Sequence, residues 1–143
     1  MIIRTLTLTV QSRREQELID VTPEIERVIA ESGVQEGLVN ILTMHTSSGI
    51  IVTEGLPCLE EDVVTHLSRL CPSEGDYLHR RYLKIDGRIG FNADAHLKSV
   101  LGGISATFPI TAGKMLKGGR QTIYFAEYDG PLSREYVVQV LGE

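Results

Sequence analysis

Gln121-Thr122-Ile123-Tyr124-Phe125-Ala126-Glu127-Tyr128 and Arg134-Glu135-Tyr136-Val137-Val138-Gln139-Val140-Leu141 are the two runs that decide the fold, with Asp129-Gly130 between them. β-Branched and aromatic side chains fill both runs, which is strand composition. An Asp-Gly pair between alternating runs is the strongest short-range hairpin signal, because the tight turn needs positive φ. The stretch therefore predicts an antiparallel hairpin. Upstream of it, Ile104 to Ile110 and Lys114 to Leu116 also read as strands. Nine of the fourteen glycines follow residue 85 and mark the turns of this antiparallel half.

The first half mixes both periods. Ile3 to Val10 alternates threonine with Leu6, Leu8 and Val10, the pattern of a half-buried strand. Thr22-Pro23 is an N-cap followed by proline at the first helical position. Ile25, Val28 and Ile29 form the stripe of that helix, and Gly33 closes it. Leu38 to Met44 and Gly49 to Thr53 read as buried strands. Leu56-Pro57 opens a second helix with Leu59, Val63, Leu67 and Leu70 inward, and Cys71-Pro72 ends it. Residues 73 to 92 are weakly patterned apart from a short strand at Tyr82 to Ile85. Asn92 caps a third helix with Ala93, Leu97, Val100 and Leu101 inward, ended by Gly102-Gly103. About three helices against seven or eight unevenly grouped strands predict an α+β fold with a mostly antiparallel mixed sheet.

At 143 residues the chain has the size of one domain, residues 1–143. Its 42% hydrophobic and 23% charged residues supply one real core, which excludes disorder. A net charge of −5 argues against nucleic acid as partner. The apolar stretches are too short for a membrane span, and no secretory leader pattern follows Met1. Two cysteines, Cys58 and Cys71, make neither a disulfide scaffold nor a zinc knuckle. Reduced thiols fit a cytoplasmic protein. Cys58 falls in a helical first turn, and its simpler reading is a small buried residue.

P-loop, GxGxxG, GxSxG and HExxH patterns are all missing, so chemistry rests on scattered polar residues. His45-Thr46-Ser47-Ser48 joins two apolar strands. Its hydroxyls and backbone N–H groups could hold a phosphate, and its imidazole could act as base or metal ligand. The same hydroxyls could simply satisfy the backbone. Asp62 lies near the start of the second helix, where Glu60, Glu61 and Asp62 all suit its dipole; His66 is four residues on, so the two could also be a solvated pair. His79 lies in the unpatterned loop and His96 at the edge of the third helix's stripe. With His45 they could converge on an open three-histidine metal site. Glu127 shares strand parity with Ile123 and Phe125. If those point inward Glu127 does too, and a buried carboxylate needs a cation, a metal or several donors.

Taken in order, these residues resemble the YjbQ-like family, also named the secondary thiamine-phosphate synthase family. The resemblance spans nearly the whole chain. It is carried by His45-Thr46-Ser47, Glu54, Asp62, Leu70-Cys71-Pro72, Tyr77-Leu78-His79 and, most specifically, Asn92-Ala93-Asp94-Ala95-His96-Leu97-Lys98-Ser99. The ending from Gln121 through Glu127-Tyr128-Asp129-Gly130-Pro131 with Arg134 adds to it. The chain departs from the family pattern at Thr53-Glu54-Gly55, at Gly118-Gly119-Arg120-Gln121 and at Leu132.

The resemblance implies an α+β subunit in a homotrimer, a site using His45, His79 and His96, and weak thiamine-phosphate synthase activity. That reaction joins a pyrimidine diphosphate to a thiazole phosphate and expels pyrophosphate. The leaving group needs a cation or metal. Zinc suits the histidines, whereas magnesium suits Asp62 or Glu127. The expected roles are therefore catalytic for Asp62 and Glu127, metal-binding for the three histidines, and phosphate-binding for Thr46, Ser47, Ser48 and Arg134. A divalent metal and a small phosphorylated metabolite are the expected cofactor and partner, with no organic cofactor. The alternatives are a non-catalytic trimer that binds a metabolite or protein, and a metal-assisted phosphoesterase.

Overall fold

The computed structural model describes residues 1–81 and 91–143. Among these residues eight strands run antiparallel to every neighbour and divide between two sheets. β1 (Ile2–Gln11), β3 (Gly37–Thr43), β5 (Ser105–Thr111), β6 (Lys114–Met115) and β8 (Ser133–Gly142) form a five-stranded sheet in the order β1-β8-β3-β5-β6. β2 (Glu17–Asp20), β4 (Ser48–Glu54) and β7 (Gln121–Glu127) form a three-stranded sheet in the order β2-β7-β4. The helices are α1 (Thr22–Ser32), α2 (Pro57–Leu70), the single turn α3 (Leu78–Arg81) and α4 (Ala93–Gly102). The α+β expectation holds. The strand expected at Tyr82 to Ile85 lies outside the described residues.

The main core is a sandwich. Val39, Ile41, Phe108, Ile110, Val138 and Val140 face α1 and the inner side of the small sheet, where Ile50, Ile123 and Phe125 stand. Burying each such side chain contributes about 1.5–3 kcal/mol. The far side of the small sheet carries a second cluster, Leu18, Tyr124, Ala126 and Tyr128, under Ala95 of α4 and Val63 and Leu67 of α2. The small sheet is thus covered on both faces, and β7 at its centre reads as a continuous buried run rather than an alternating one. α2 only leans on this layer. Leu59, Val63 and Leu67 are half-buried and Leu70 is exposed, while Tyr124 Oη tethers the helix by donating to Glu60 Oε2 at 2.8 Å.

Four expectations need correction. The Asp129-Gly130 turn is not a hairpin, because β7 and β8 lie in different sheets. β7 already has β2 and β4 on its two edges, so β8 crosses over and inserts between β1 and β3. Gly130 serves close approach instead: a Cβ there would sit 2.3 Å from Arg14 O and 2.7 Å from Ser12 Oγ. Thr22 is the first residue of α1 rather than its cap, and its hydroxyl accepts the Ile123 N–H at 2.9 Å. Cys58 is exposed, while Cys71 is buried.

The fourth correction concerns α4. Its Ala93 is buried as expected, but Leu97, Val100 and Leu101 are exposed, and the rest of the buried face is Asp94, Ala95, Lys98 and Ser99. The polar residues can face inward because each has a partner. Lys98 Nζ donates to Asp94 Oδ2 at 3.0 Å, and Ser99 Oγ donates to Ser48 O at 2.6 Å. The helix is therefore inside out relative to its leucine stripe.

Candidate functional site

The turn between β3 and β4 is the hub around which the polar residues gather. Thr43 Oγ1 and Ser48 Oγ share a hydrogen bond of 2.7 Å and close it at its base. Behind it, Glu127 is fully buried, as its parity with Ile123 and Phe125 requires. Its cation is Arg134, whose Nε lies 2.8 and 3.1 Å from the two carboxylate oxygens. Ser12 Oγ donates to Oε1 at 2.7 Å, and the Tyr128 and Asp129 N–H groups donate to Oε2. Burial raises the Glu127 carboxyl, but the Arg134 and Ser12 hydrogen bonds and the Asp129 N–H outweigh it and hold the group below the usual range.

Arg134 Nη2 turns to the hub itself and donates to Ser47 Oγ at 2.9 Å and Ser47 O at 3.3 Å. The guanidinium, Ser47 and Ser48 are thus engaged with protein partners. Thr46 is exposed at the tip of the turn.

The histidines occupy the surface in front of this network. His79 on α3 and His96 on α4 meet edge to face, ring centres 5.2 Å apart. They line a groove of about 640 Å³ with Tyr77, Asn92 and Leu97. His96 Nδ1 lies 2.9 Å from Thr46 O. A carbonyl can only accept, so Nδ1 carries a proton, and in the neutral ring Nε2 holds the lone pair. This carbonyl-anchored arrangement is the one seen behind metal-binding imidazoles. Asn92 Nδ2 donates to Asp129 Oδ2 at 2.9 Å, and among the described residues its buried Oδ1 has no hydrogen-bond partner.

His45 lies in an adjoining groove of about 540 Å³, which it shares with Thr46, His96, Ser99 and Val100. Its Nε2 accepts the Glu135 N–H at 2.9 Å. An Nε2 that accepts an N–H belongs to a neutral ring protonated on Nδ1, and burial, with the Arg134 guanidinium, lowers the pKa in the same sense. A neutral imidazole has one ring lone pair, and here it faces an amide. Among the described residues no three His, Cys, Asp or Glu side chains are grouped closely enough to hold a metal ion.

Asp62 stands apart. With His66 it lines a third groove of about 340 Å³ between α2 and β4, floored by Ile51, Leu59, Val63 and Leu67. The structure thus joins Ser47, Glu127 and Arg134 in one buried network and His79 with His96 in one groove. It brings His45 beside both and leaves Asp62 elsewhere. Sequence reasoning missed the buried Asp94–Lys98 pair. Its signal was present: opposite charges four apart inside the most specific block of the chain.

Residues 6–143 match the family described as UPF0047 protein YjbQ-like. A UPF0047 protein of Methanocaldococcus jannaschii is 38% identical over 135 residues, covering 94% of this chain and 91% of its own. A UPF0047 protein of Archaeoglobus fulgidus is 35% identical and covers 95% of this chain and 100% of its own. Among solved structures, a YbjQ-like protein of unknown function from Sulfolobus solfataricus superimposes with a TM-score of 0.90 at 30% identity, covering 99% of this chain and 98% of that one. A hypothetical protein of Aeropyrum pernix does so with a TM-score of 0.89 at 32% identity, covering 98% and 99%.

Proposed function

The chain belongs to the UPF0047 YjbQ-like family, and from that premise we propose that it is a metal-dependent enzyme acting on a small phosphorylated metabolite in the groove shared by His79 and His96. The observation that carries this reading is the His79–His96 contact at 5.2 Å, with His96 anchored through Nδ1 so that Nε2 is free to ligate. The unpartnered Asn92 Oδ1 at the groove adds an acceptor for a substrate N–H or O–H. A bound divalent cation supplies positive charge for a departing phosphate or diphosphate group. The reaction implied by the family resemblance is a thiamine-phosphate synthase-like transfer.

Two ligands from one chain are fewer than the three that catalytic zinc usually takes. The reading therefore includes a homotrimer whose neighbouring subunit completes the site. Support comes from the exposed strip beside His96: Leu97, Val100, Leu101, Ile104 and Met44 are 42%, 77%, 58%, 48% and 56% exposed.

The test is metal analysis of protein purified without a histidine tag, paired with turnover of the pyrimidine diphosphate and thiazole phosphate. Bound zinc or magnesium lost in His79→Ala and His96→Ala, together with lost turnover, is the expected result. Metal-free protein, with variants that react like wild type, overturns the reading.

One observation favours a second reading, a metabolite-binding module without catalysis. Arg134, Ser47 and Ser48 are tied into the protein's own hydrogen bonds, and Asp62 lies in another groove. A thermal-shift screen with phosphorylated metabolites separates the two, since stabilisation without turnover marks binding alone.

A further inference from the structure

We infer that His45 is a positioning residue: by accepting the Glu135 N–H it holds the turn whose Thr46 carbonyl fixes the tautomer of His96. The ligand role of His96 rests on the function proposed above, but the coupling between the two rings does not.

Five hydrogen bonds connect the two rings. The turn after β3 is pinned to β8 twice, by Met44 N–H donating to Glu135 O at 3.2 Å and by Glu135 N–H donating to His45 Nε2 at 2.9 Å. Its far end is fixed by Tyr128 N–H donating to Ser47 O at 3.2 Å and by the Arg134 contact with Ser47. Between these anchors, Thr46 presents its carbonyl to His96 Nδ1 at 2.9 Å. Thr46 itself is exposed and lies one residue from His45, so its place depends on the pins on either side.

The His45 pin is a side chain acting in place of a strand partner. Glu135 sits opposite Thr9 of β1, and on its other side β3 ends at Thr43, opposite Tyr136. The Glu135 amide therefore meets an imidazole where the ladder has stopped. With that acceptor removed, the amide loses its partner, and on this side the turn keeps the Met44 bond to β8 and the bond of the His45 N–H to Thr43 Oγ1 at 3.3 Å. The Thr46 carbonyl is then held less firmly against His96, and the imidazole gains access to its other neutral form. In the Nε2-protonated form the groove-facing lone pair is gone. His45 thus governs the groove without touching anything bound in it.

Nitrogen-15 NMR of the histidine rings tests this, because ring shifts and two-bond couplings report which nitrogen carries the proton. In wild-type protein His96 is expected as a single Nδ1-protonated tautomer. A scalar coupling across the Glu135 N–H···Nε2 bond to His45 is expected as well. His45→Gln, whose side-chain carbonyl can still accept the amide, keeps the His96 pattern. His45→Ala shows mixed His96 tautomers and binds zinc about tenfold more weakly. A folded His45→Ala protein with the wild-type His96 pattern overturns the inference. So does wild-type protein lacking the cross-bond coupling or carrying Nε2-protonated His96, and these two measurements need no variant to fold. Failure of wild-type protein to bind zinc counts against the proposed function alone and leaves the ring measurements unaffected.

Discussion

Arg134 Nε bridges both carboxylate oxygens of Glu127, at 2.8 and 3.1 Å, at the point where the chain leaves the three-stranded sheet for the five-stranded one. A single buried pair thus joins the two sheets, and its second nitrogen reaches the β3–β4 turn through Ser47.

Removing one member strands the other. Glu127→Ala leaves a buried guanidinium without its carboxylate and is expected to destabilise the protein by about 3–5 kcal/mol in urea unfolding. Arg134→Lys keeps the charge but not the two-oxygen contact, and falls between wild type and Glu127→Ala.

The same pair sets a pH dependence. The Glu127 carboxyl is held below its ordinary value, so the unfolded chain takes up its proton first as the solution is acidified. The stabilisation is fully present above the unfolded carboxyl's value of about 4.3 and is lost as pH falls through the lower folded value. Urea midpoints measured from pH 6 downward should drop in wild type. Glu127→Gln, less stable at neutral pH, should lack that part of the acid slope.

Gly130 is crowded by the Arg14 carbonyl and by the Ser12 and Glu127 side chains, both tied into the buried network. Gly130→Ala places a methyl group 2.3 Å from Arg14 O and should lower stability by about 1–3 kcal/mol. Gly119 has nothing within 4 Å of the same added atom, so Gly119→Ala is the control whose melting temperature stays within a degree or two of wild type.

The buried pair under α4 predicts non-additive behaviour. Lys98→Met leaves Asp94 without its ammonium partner and should cost about 3–5 kcal/mol, while Asp94→Leu combined with Lys98→Met should restore most of that. A double-mutant cycle from thermal or urea melts measures the coupling.

Val100, 77% exposed on the outer face of α4, is the probe of assembly. On the proposed homotrimer, Val100→Glu should shift the sedimentation coefficient from trimer to monomer and leave the far-ultraviolet spectrum unchanged. A wild-type protein that sediments as a monomer removes the neighbour-completed site.

Much of this was legible in the chain, for identifiable reasons. Glu127 could be placed because parity on one strand is a local property, and Ile123 and Phe125 left only one side for it. α1 was legible through its stripe and Gly33, which takes φ of 76° as a closing glycine should. β2 was missed because Glu17-Leu18-Ile19-Asp20 is too short to show a period. The turn at Asp129-Gly130 misled because turn chemistry says that a chain reverses, not which sheet receives it. α4 misled because hydropathy counts Leu97 and Val100 as core, whereas ion pairing let Asp94 and Lys98 take that side. The site was the least legible part. Whether His79 lies beside His96 depends on how α3 and α4 dock, and whether an imidazole is donor or acceptor depends on a backbone group far away in the chain.

The register of the five-stranded sheet also sets how late that sheet can close. Among the described residues β1 pairs only with β8, Ile2 opposite Gly142 and Gln11 opposite Ser133, so β1 waits for a strand at the far end of the sequence order. Until β8 is in place, β3 also lacks one of its two neighbours, and threonine-rich β1, an edge strand of the finished sheet, has no partner. Such long-range closure makes for slow folding.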